Sequence, residues 1–469
     1  MSFVSFEYIL LLLACVIMFY VLPKKVRFIS VFIGNIVFCY SFGFTNFVIV
    51  YGSILITYLA AVVLSKIIKY RKSLCLIYVA IMIFMLFNFK YQIFGVGIVP
   101  MAISFYTLTC IGYVIDVYRG KYKAEINVFK LAAVFNFFPI MVQGPICRYD
   151  EVSSDFVMVK FDFEKFTSGV KRIVYGVFKK LVIAERLGIA FENLSKMNDD
   201  GTAIFLNIFV YALYLFTDFS AGIDIAIGSG KLFGIKLPEN FNKPFFATSI
   251  SDYWRRWHMS LGLWLRDYVF YPVSFSKVVV SANKVIRGKF GNAAARKFPV
   301  YIATVVVWFV TGIWHGATAN FILWGMLNCV VVIISLELAP LYKKFNKRFK
   351  FTEGRVYGVF RCVRTFMLMG VLRMLDYNTV GGYFKSLWLM ISDFHISKIF
   401  DMSLGIATAD VVLVLVCMFS LFVISLIKKD RKRGIIASYA MIAIMIFATV
   451  IFGMYGIGYE GKEFIYIKY

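Results

Sequence analysis

The sequence predicts an all-α polytopic integral membrane protein with about 11 to 13 transmembrane helices, plus helices that lie at the membrane surface or re-enter the membrane. Three observations favour this fold class. Hydrophobic residues make up 61% of the 469 residues and charged residues 16%, whereas soluble domains reach about 25% charged residues. The apolar residues form long runs. The basic residues gather in the short segments between these runs.

The apolar runs approach the ~20 residues that a helix needs to cross the hydrocarbon core. The clearest examples are residues 8–22, 48–64, 76–89, 411–426 and 436–452. Strands of a membrane β-barrel would alternate apolar and polar residues, but these runs are apolar on all sides. The pattern therefore favours spanning helices.

The placement of charge predicts the orientation of the chain. Fifty-one Lys and Arg against 26 Asp and Glu give a net charge of +25, which in a soluble protein would suggest a nucleic acid partner. Here the cations cluster at 24–27, 66–72, 119–123 and 428–433, and intervening loops such as 43–46 carry none. Basic loops are retained in the cytoplasm. We therefore expect an outside N-terminus and contacts with anionic membrane lipid, and no nucleic acid partner.

No linker or repeat divides the sequence, so we expect one membrane domain over residues 1–469. It has N-terminal spanning helices at 1–150, a core region at 151–340 and C-terminal spanning helices at 341–469. The eight cysteines occur singly, without the paired spacing of a disulfide framework or a zinc site, and we expect no metal.

Two segments of the core region are more polar than the rest. Residues 157–198 are amphipathic and basic, with Lys171 and Lys180 among Phe, Val and Leu, which favours a helix at the cytoplasmic interface or a face for a partner protein. Residues 240–272 mix charge with aromatic side chains. On one helix, Trp257, Leu261 and Trp264 would share a face, and we expect this segment at the membrane surface or re-entrant.

The clearest candidate for catalysis is His315. It lies in an apolar run without Lys, Arg, Asp or Glu from 301 to 336. Loss of solvation there favours a neutral imidazole whose ring nitrogen can accept a proton. On one helix, Trp308, Thr311, Gly312, His315 and Ala319 would line one stripe, where small residues permit close approach of a helix or a substrate. The alternative is a histidine that is hydrogen-bonded across helices.

Other polar residues have weaker functional interpretations. His258, in YWRRWHMS, is either a functional residue or an anchor to lipid headgroups, and His395 is an ordinary loop residue. Asp218 and Asp224 fall on different helix faces, so we expect each to have a structural role beside an Arg or a backbone amide. We interpret Arg364, Arg373 and Asp376 as packing or lipid contacts. No serine hydrolase elbow, Walker loop, dinucleotide fingerprint or HExxH motif is present.

Several blocks resemble the membrane-bound O-acyltransferase family, in its bacterial branch of alginate O-acetyltransferase membrane subunits and teichoic acid D-alanyltransferases. They are SFYTLTCIGYVIDVYRG, FFPIMVQGPICRY, DFSAGIDIAIGSGKLFGIKLPENFNKPF, DYWRRWHMSLGLWLRDYVFYP, GIWHGATANFILWGMLN and the terminal EFIYIKY. The resemblance implies a fold with a central tunnel. It also implies that His315 is the catalytic histidine and His258 the second signature histidine.

The resemblance further implies an activity. A small acyl group, most simply acetyl, would pass across the membrane from a cytoplasmic donor, acetyl-CoA or an acyl-carrier thioester, to a hydroxyl of a cell-envelope or exported polysaccharide, with no bound cofactor. Partners would be an extracytoplasmic acyltransferase or a cytoplasmic acyl-carrier protein. Weaker substrate-positioning roles fall to five residues: Trp254, Arg255, Asn240, Trp314 and Asn320.

Two alternatives remain open. One is D-alanyl transfer from a carrier protein to teichoic acid, and the other is a transporter or flippase without covalent chemistry. Transporters usually contain inverted repeats, which this sequence lacks. After YVFYP the chain reads VSFSKVVVSANKVIRGKFGNAAARK, where alginate-type members carry a short Gly-Gly-Asn loop, so the acceptor or partner can differ too.

Overall fold

The regular elements of the described chain are helices. The computed structural model describes residues 1–95, 97, 99–153, 156, 159–426, 433–456, 459 and 462–465, and strands are absent from these residues. The predicted all-α class is confirmed. The predicted single domain stays a prediction. By its contacts the chain divides into two compact units, Met1–Asn193 with Leu213–Glu239 and Ser403–Tyr469, and Leu194–Ala212 with Asn240–Met402.

The first unit contains the N-terminal helices and the C-terminal pair. Its helices are Phe6–Val21, Lys24–Val26, Phe28–Tyr40, Phe44–Lys66, Arg71–Tyr91, Ile103–Tyr118, Val128–Phe135, Phe138–Met141, Tyr149–Ser153, Phe163–Phe178, Lys179–Ala184, most of Glu185–Lys196, the later part of Gly201–Leu232, Thr408–Leu426 and Arg433–Phe452. Lys24–Val26 is a 3-10 turn and Lys179–Ala184 is a π-helical segment.

The second unit contains a series of short helices followed by two long ones. Its helices are the first part of Gly201–Leu232, Pro244–Phe246, Ile250–Trp254, Met259–Leu265, Arg266–Phe270, Tyr271–Ser274, Lys277–His315, Ala319–Arg348, Lys350–Glu353, Arg355–Arg373, Met374–Asp376, Val380–Ser392 and Lys398–Asp401. Gly291 interrupts Lys277–His315 with a φ of 79°, a backbone conformation that glycine adopts readily. The segment after YVFYP, residues 273–297, thus forms helix on both sides of a kink.

Length and composition support a membrane location. Within the described residues, five helices are long and apolar enough to cross a bilayer: Phe44–Lys66, Arg71–Tyr91, Gly201–Leu232, Lys277–His315 and Ala319–Arg348. Four shorter apolar helices accompany them, at Phe6–Val21, Ile103–Tyr118, Thr408–Val423 and Tyr439–Phe452. The count of 11 to 13 crossings and the outside N-terminus stay predictions, and most of the basic loop 428–433 lies outside the described residues.

The basic segment 157–198 differs from its prediction in one respect. Phe163–Phe178 is amphipathic, as expected, but Lys179 and Lys180 are buried rather than presented at a surface. The reason is pairing: Lys179 Nζ lies 2.6 Å from Asp224, and Lys180 Nζ lies 2.8 Å from both Asp218 and Glu185. Burial opposes the charge of Lys180, but these two carboxylates outweigh it and raise its pKa.

The two carboxylates of the Gly201–Leu232 helix thus anchor separate contacts in the first unit. Asp224 also accepts a hydrogen bond from Arg172 Nε at 2.8 Å, and Asp218 accepts one from the backbone N–H of Ile465 at 2.9 Å. Lys180 donates in addition to the carbonyl oxygen of Lys462 at 2.8 Å. These bonds attach the described part of the C-terminal segment to the interior of the unit.

We expect Lys180→Met to destabilise the protein by about 3 to 5 kcal/mol, because it leaves Asp218 and Glu185 buried without a countercharge. Thermal unfolding of the purified protein in detergent measures this effect. Lys165→Met, at an exposed position of the neighbouring helix, is the matched control. Adding Asp218→Asn to Lys180→Met should recover part of the loss. Equal unfolding midpoints for Lys180→Met and Lys165→Met would contradict the assignment.

Candidate active site

His315 is the last residue of the Lys277–His315 helix. The apolar run 301–336 is not one continuous helix: Gly316 and Thr318 are extended, and a second helix begins at Ala319. The last hydrogen bond of the first helix joins the N–H of Gly316 to the carbonyl of Gly312. His315 therefore lies at a turn between two long apolar helices, where a side chain is less enclosed than in mid-helix.

Two glycines bring these helices into backbone contact. A Cβ at Gly312 would lie 2.7 Å from the carbonyl oxygen of Phe321, and a Cβ at Gly325 would collide with the carbonyl oxygen of Trp308. Close approach through small residues is typical of helix pairs in membranes. The predicted small-residue stripe thus receives another helix at Thr311 and Gly312, and this contact determines where His315 lies. Ala319 is not part of this stripe, because it is the first residue of the second helix.

Aromatic rings surround His315. Its ring centroid lies 4.9 Å from that of Trp314 and 4.9 Å from that of Trp324, both at steep angles. Trp324 is 1% exposed and also contacts Trp308 and Trp254, at 6.0 and 5.8 Å. His315 itself is half-buried. Its imidazole is accessible at one side and enclosed by tryptophan at the other.

His258 lies at a break between two short helices. Ile250–Trp254 ends before it, Met259–Leu265 begins after it, and His258 has φ 48° and ψ 52°. This left-handed conformation is uncommon for a residue other than glycine. The prediction of one helix face shared by Trp257, Leu261 and Trp264 is therefore wrong, since Trp257 precedes the break.

Asn240 holds this break in place. Its Oδ1 accepts hydrogen bonds from the backbone N–H and the hydroxyl of Ser260, at 3.0 and 2.9 Å, and lies 3.2 Å from Nδ1 of His258. Its backbone carbonyl accepts the N–H of Met259. Because Oδ1 is an acceptor, Nδ1 of His258 carries the proton and Nε2 carries the lone pair.

His258 is neutral in this environment. It is 3% exposed, and burial lowers its pKa to about 3, with the positive charge of Arg373 contributing to the decrease. Its ring lies 6.3 Å from that of Trp314, which in turn contacts His315. Trp314 therefore lies against both histidines.

We interpreted Arg373 and Asp376 from the sequence as packing or lipid contacts, and in the structure Arg373 packs against the aromatic cluster and is paired with Asp376. Arg373 Nη1 lies 3.0 Å from Asp376 Oδ2, which also accepts a hydrogen bond from the hydroxyl of Tyr211 at 3.2 Å. Its guanidinium lies 4.4 Å from the ring centroid of Trp257 and 5.8 Å from that of Trp254. The sequence signal for this contact was the pair of opposite charges, three residues apart, next to an apolar helix.

The remaining predicted positioning residues have different surroundings. Nδ2 of Asn320 donates to the carbonyl oxygen of Leu375 at 2.7 Å, so this amide holds the 374–376 turn. Trp254 is part of the tryptophan cluster, whereas Arg255 is largely exposed beside Asp252. Within the described residues, no group of three or more His, Cys, Asp and Glu side chains is arranged to hold a metal ion.

The low pKa of His258 makes stability depend on pH. Between about pH 3 and pH 6.5 the unfolded chain binds a proton at this residue that the folded chain does not bind, so stability falls as the pH falls through this range. Between about pH 7.5 and pH 5, we expect the wild type to lose about 2 kcal/mol more than His258→Gln. Unfolding in detergent at each pH measures this difference.

The matched control for that experiment is His395→Gln, since His395 is exposed in the structure. This variant should keep the pH dependence of the wild type. If His258→Gln kept it as well, the buried neutral state of His258 would be disproved.

Comparison with known proteins identifies the region that contains part of this site. Residues 126–282 match the model of MBOAT, the membrane-bound O-acyltransferase family. The matched range includes Asn240, Trp254 and His258, and Trp314 and His315 follow it.

Individual relatives are similar over about half of the chain. The chain is 34% identical to a probable alginate O-acetylase AlgI of Azotobacter vinelandii over 49% of its own length and 42% of that protein. It is 29% identical to a peptidoglycan O-acetyltransferase of Helicobacter pylori over 55% of its length and 51% of that protein. It is 29% identical to a teichoic acid D-alanyltransferase of Bacillus subtilis over 53% of its length and 61% of that protein.

The chain thus spans less than two thirds of the length of each of these relatives. All three are named for the transfer of an acetyl or alanyl group. These matches confirm the resemblance that the sequence motifs indicated: residues 126–282 are similar to the membrane-bound O-acyltransferase family.

Proposed function

We propose that this protein is a membrane O-acyltransferase that moves a small acyl group, acetyl, from a cytoplasmic thioester donor to a hydroxyl of a cell-envelope or exported polysaccharide. The observation that carries the proposal is the position of His315. It is a half-buried imidazole at the turn between two apolar helices, bounded by Trp314 and Trp324.

The proposed reaction uses the imidazole of His315 as a general base. A ring nitrogen takes the proton of the acceptor hydroxyl while the hydroxyl oxygen attacks the thioester carbonyl carbon. A carbon–oxygen bond forms, the carbon–sulfur bond breaks, and the departing thiolate receives the proton from the imidazolium. The products are an ester and a thiol, and no other reactant is needed.

The aromatic surroundings of His315 suit this chemistry. Trp314, Trp324 and Trp308 present apolar rings that exclude water from the buried side of the imidazole. Exclusion of water limits hydrolysis of the donor. For His258, burial and contact with Trp314 favour a positioning role over direct proton transfer.

The identity of the acyl group rests on similarity. Both the Azotobacter vinelandii and the Helicobacter pylori relatives are named for O-acetyl transfer, which supports acetyl as the group moved. The first of these names also supports a polysaccharide acceptor. An extracytoplasmic acyltransferase stays the expected partner of this protein.

One observation favours the alternative of D-alanyl transfer to teichoic acid. The similarity to the Bacillus subtilis D-alanyltransferase covers 61% of that protein, a larger share than for the alginate O-acetylase. A carrier protein would then be the donor. Burial of Lys179 and Lys180 counts against the basic 171–180 face as its docking surface, because two of its cations point into the protein.

Replacement of His315 tests the enzyme assignment. We expect His315→Ala and His315→Gln to reduce envelope acylation by about 100-fold or more, as loss of a general base does. Mass spectrometry of envelope glycans from a deletion strain that expresses each variant measures acyl content and identifies the acyl group and the acceptor.

The control is His395→Gln, which replaces an exposed histidine and should keep wild-type acylation. Each variant is compared at equal membrane abundance. Normal acylation by stably expressed His315→Ala would remove the enzymatic proposal and leave the transporter alternative.

A further inference from the structure

A cleft of about 780 Å³ lies in the second unit, beside the segment that carries His258. Three parts of the chain form it: residues 248–255, residues 331–347 of the Ala319–Arg348 helix, and residues 352–368. One part of its wall is apolar, with Val331, Ile334 and Leu368. Its volume is that of a typical small-molecule site.

The rest of the wall is strongly basic. Five cations line the cleft against one carboxylate, that of Glu353; the cations are Arg255, Lys343, Lys347, Arg361 and Arg364. Within the described residues, Arg255 forms an ion pair with Asp252, and the other four cations form none. These four cations thus have no ion-pair partner in the part of the chain that the structure describes, and with one carboxylate against five cations the cleft has a positive potential.

Two of these cations are held in position. Nη2 of Arg361 donates to the hydroxyl of Thr248 at 3.1 Å, and Nη2 of Arg364 donates to the backbone carbonyl of Thr248 at 3.2 Å. A guanidinium has five N–H donors, so each retains donors for a ligand after this contact. Fixed guanidinium groups are well suited to bind phosphate oxygens in a bidentate manner.

The Ile250–Trp254 helix separates this cleft from the tryptophan cluster. Ser251 and Arg255 line the cleft, whereas Trp254 contacts Trp308 and Trp324. Trp324 contacts His315 in turn. The end of the cleft at Ser251 and Arg255 is thus one short helix away from the aromatic surroundings of the proposed general base.

The two ends of the Ala319–Arg348 helix differ in their surroundings, since its beginning contributes to the tryptophan cluster and its end to the basic cleft. Trp324 lies near its first residue, and Lys343 and Lys347 lie in its last turns. The two regions are separated by about 30 Å along the axis at 1.5 Å per residue. By the positive-inside rule, we expect the basic end to face the cytoplasm. The cleft would then open where a cytoplasmic donor arrives.

We infer that this cleft binds the phosphate-bearing end of an amphiphile. Apolar residues on one part of the wall and cations on another match a molecule with an apolar arm and a phosphate group. Two sources have this chemistry, a coenzyme A thioester and an anionic phospholipid. Assignment to the donor rests on the proposed function, whereas anion binding by the cleft does not.

Binding to the purified full-length protein tests this inference. Titration calorimetry in neutral detergent with coenzyme A as the probe compares the wild type with Lys343→Gln/Lys347→Gln. Both lysines are exposed, so the folded structure should tolerate their replacement. We expect roughly 5- to 10-fold weaker binding, since two exposed charges that attract the phosphate groups are removed and each contributes modestly in water.

The matched control is Lys284→Gln/Lys289→Gln. It removes the same charge from exposed positions on the Lys277–His315 helix, away from the cleft. We expect this variant to bind coenzyme A as the wild type does. Equal weakening in both double variants would overturn the inference, because the effect would then come from net charge.

A second measurement separates the two sources. Native mass spectrometry of each variant after reconstitution with phosphatidylglycerol or phosphatidylcholine counts the retained lipids. If Lys343→Gln/Lys347→Gln, the cleft variant, loses coenzyme A binding, the cleft binds the donor. If it selectively loses phosphatidylglycerol, the cleft binds the lipid. If the cleft variant matched the control for both probes, the inference would be wrong.

The experiments test anion binding by the cleft separately from the proposed acyl transfer. His315→Ala lies outside the cleft lining and should bind coenzyme A normally while envelope acylation is lost. Cleft-dependent binding together with normal acylation by His315→Ala would retain the anion site and reject the proposed function. If His315→Ala lost acylation but neither probe bound in a manner that depends on the cleft, the proposed function would be retained and the anion site rejected.

Discussion

A single amide oxygen, Oδ1 of Asn240, organises the segment that carries the signature histidine. It accepts both hydrogen bonds of Ser260 and lies against Nδ1 of His258, and these groups belong to the turn between two short helices. Leaving a buried donor unsatisfied costs about 1 to 3 kcal/mol. The oxygen therefore stabilises a left-handed backbone that a histidine would otherwise avoid, and it selects the tautomer with a lone pair on Nε2.

The turn has consequences for the tryptophans that precede it. Because the backbone breaks at His258, Trp257 packs against Arg373 instead of continuing the face of the next helix. Trp254, one turn earlier, reaches Trp308 and Trp324. In this way the position of the hydrogen-bonded turn is coupled by packing to the surroundings of His315, although the two histidines are far apart in sequence.

The fold class could be predicted, and His315 could be singled out as a candidate, because both depend on local signals. An uncharged run around His315 and the scarcity of histidine are visible in the letters alone. The break at His258 was missed, because a left-handed residue depends on Asn240, 18 positions earlier. The end of the helix at His315 was missed for a related reason: apolar composition continues through Gly316 to Thr318, where only backbone geometry changes.

Charge partners were harder to predict than charge itself. Lys179 and Lys180 have the spacing of an interfacial helix, but carboxylates about 40 positions away bring them into the interior. Arg373 and Asp376 are three residues apart, and their relation to His258 and Trp257 arises from tertiary packing. Hydropathy locates such residues near an apolar helix and does not indicate which neighbour neutralises them.

The positive charge of the chain therefore has more than one use. In the first unit, buried cations such as Lys180 are neutralised by carboxylates and contribute to the stability of the fold. In the second unit, Arg361 and Arg364 are held by the hydroxyl and carbonyl of Thr248, which fix their geometry without cancelling their charge. Topology alone requires neither a concave arrangement nor neutral partners, since the positive-inside rule depends on the number of cations. Recognition of an anionic amphiphile instead requires cations that are held in position by neutral groups, next to an apolar part of the wall.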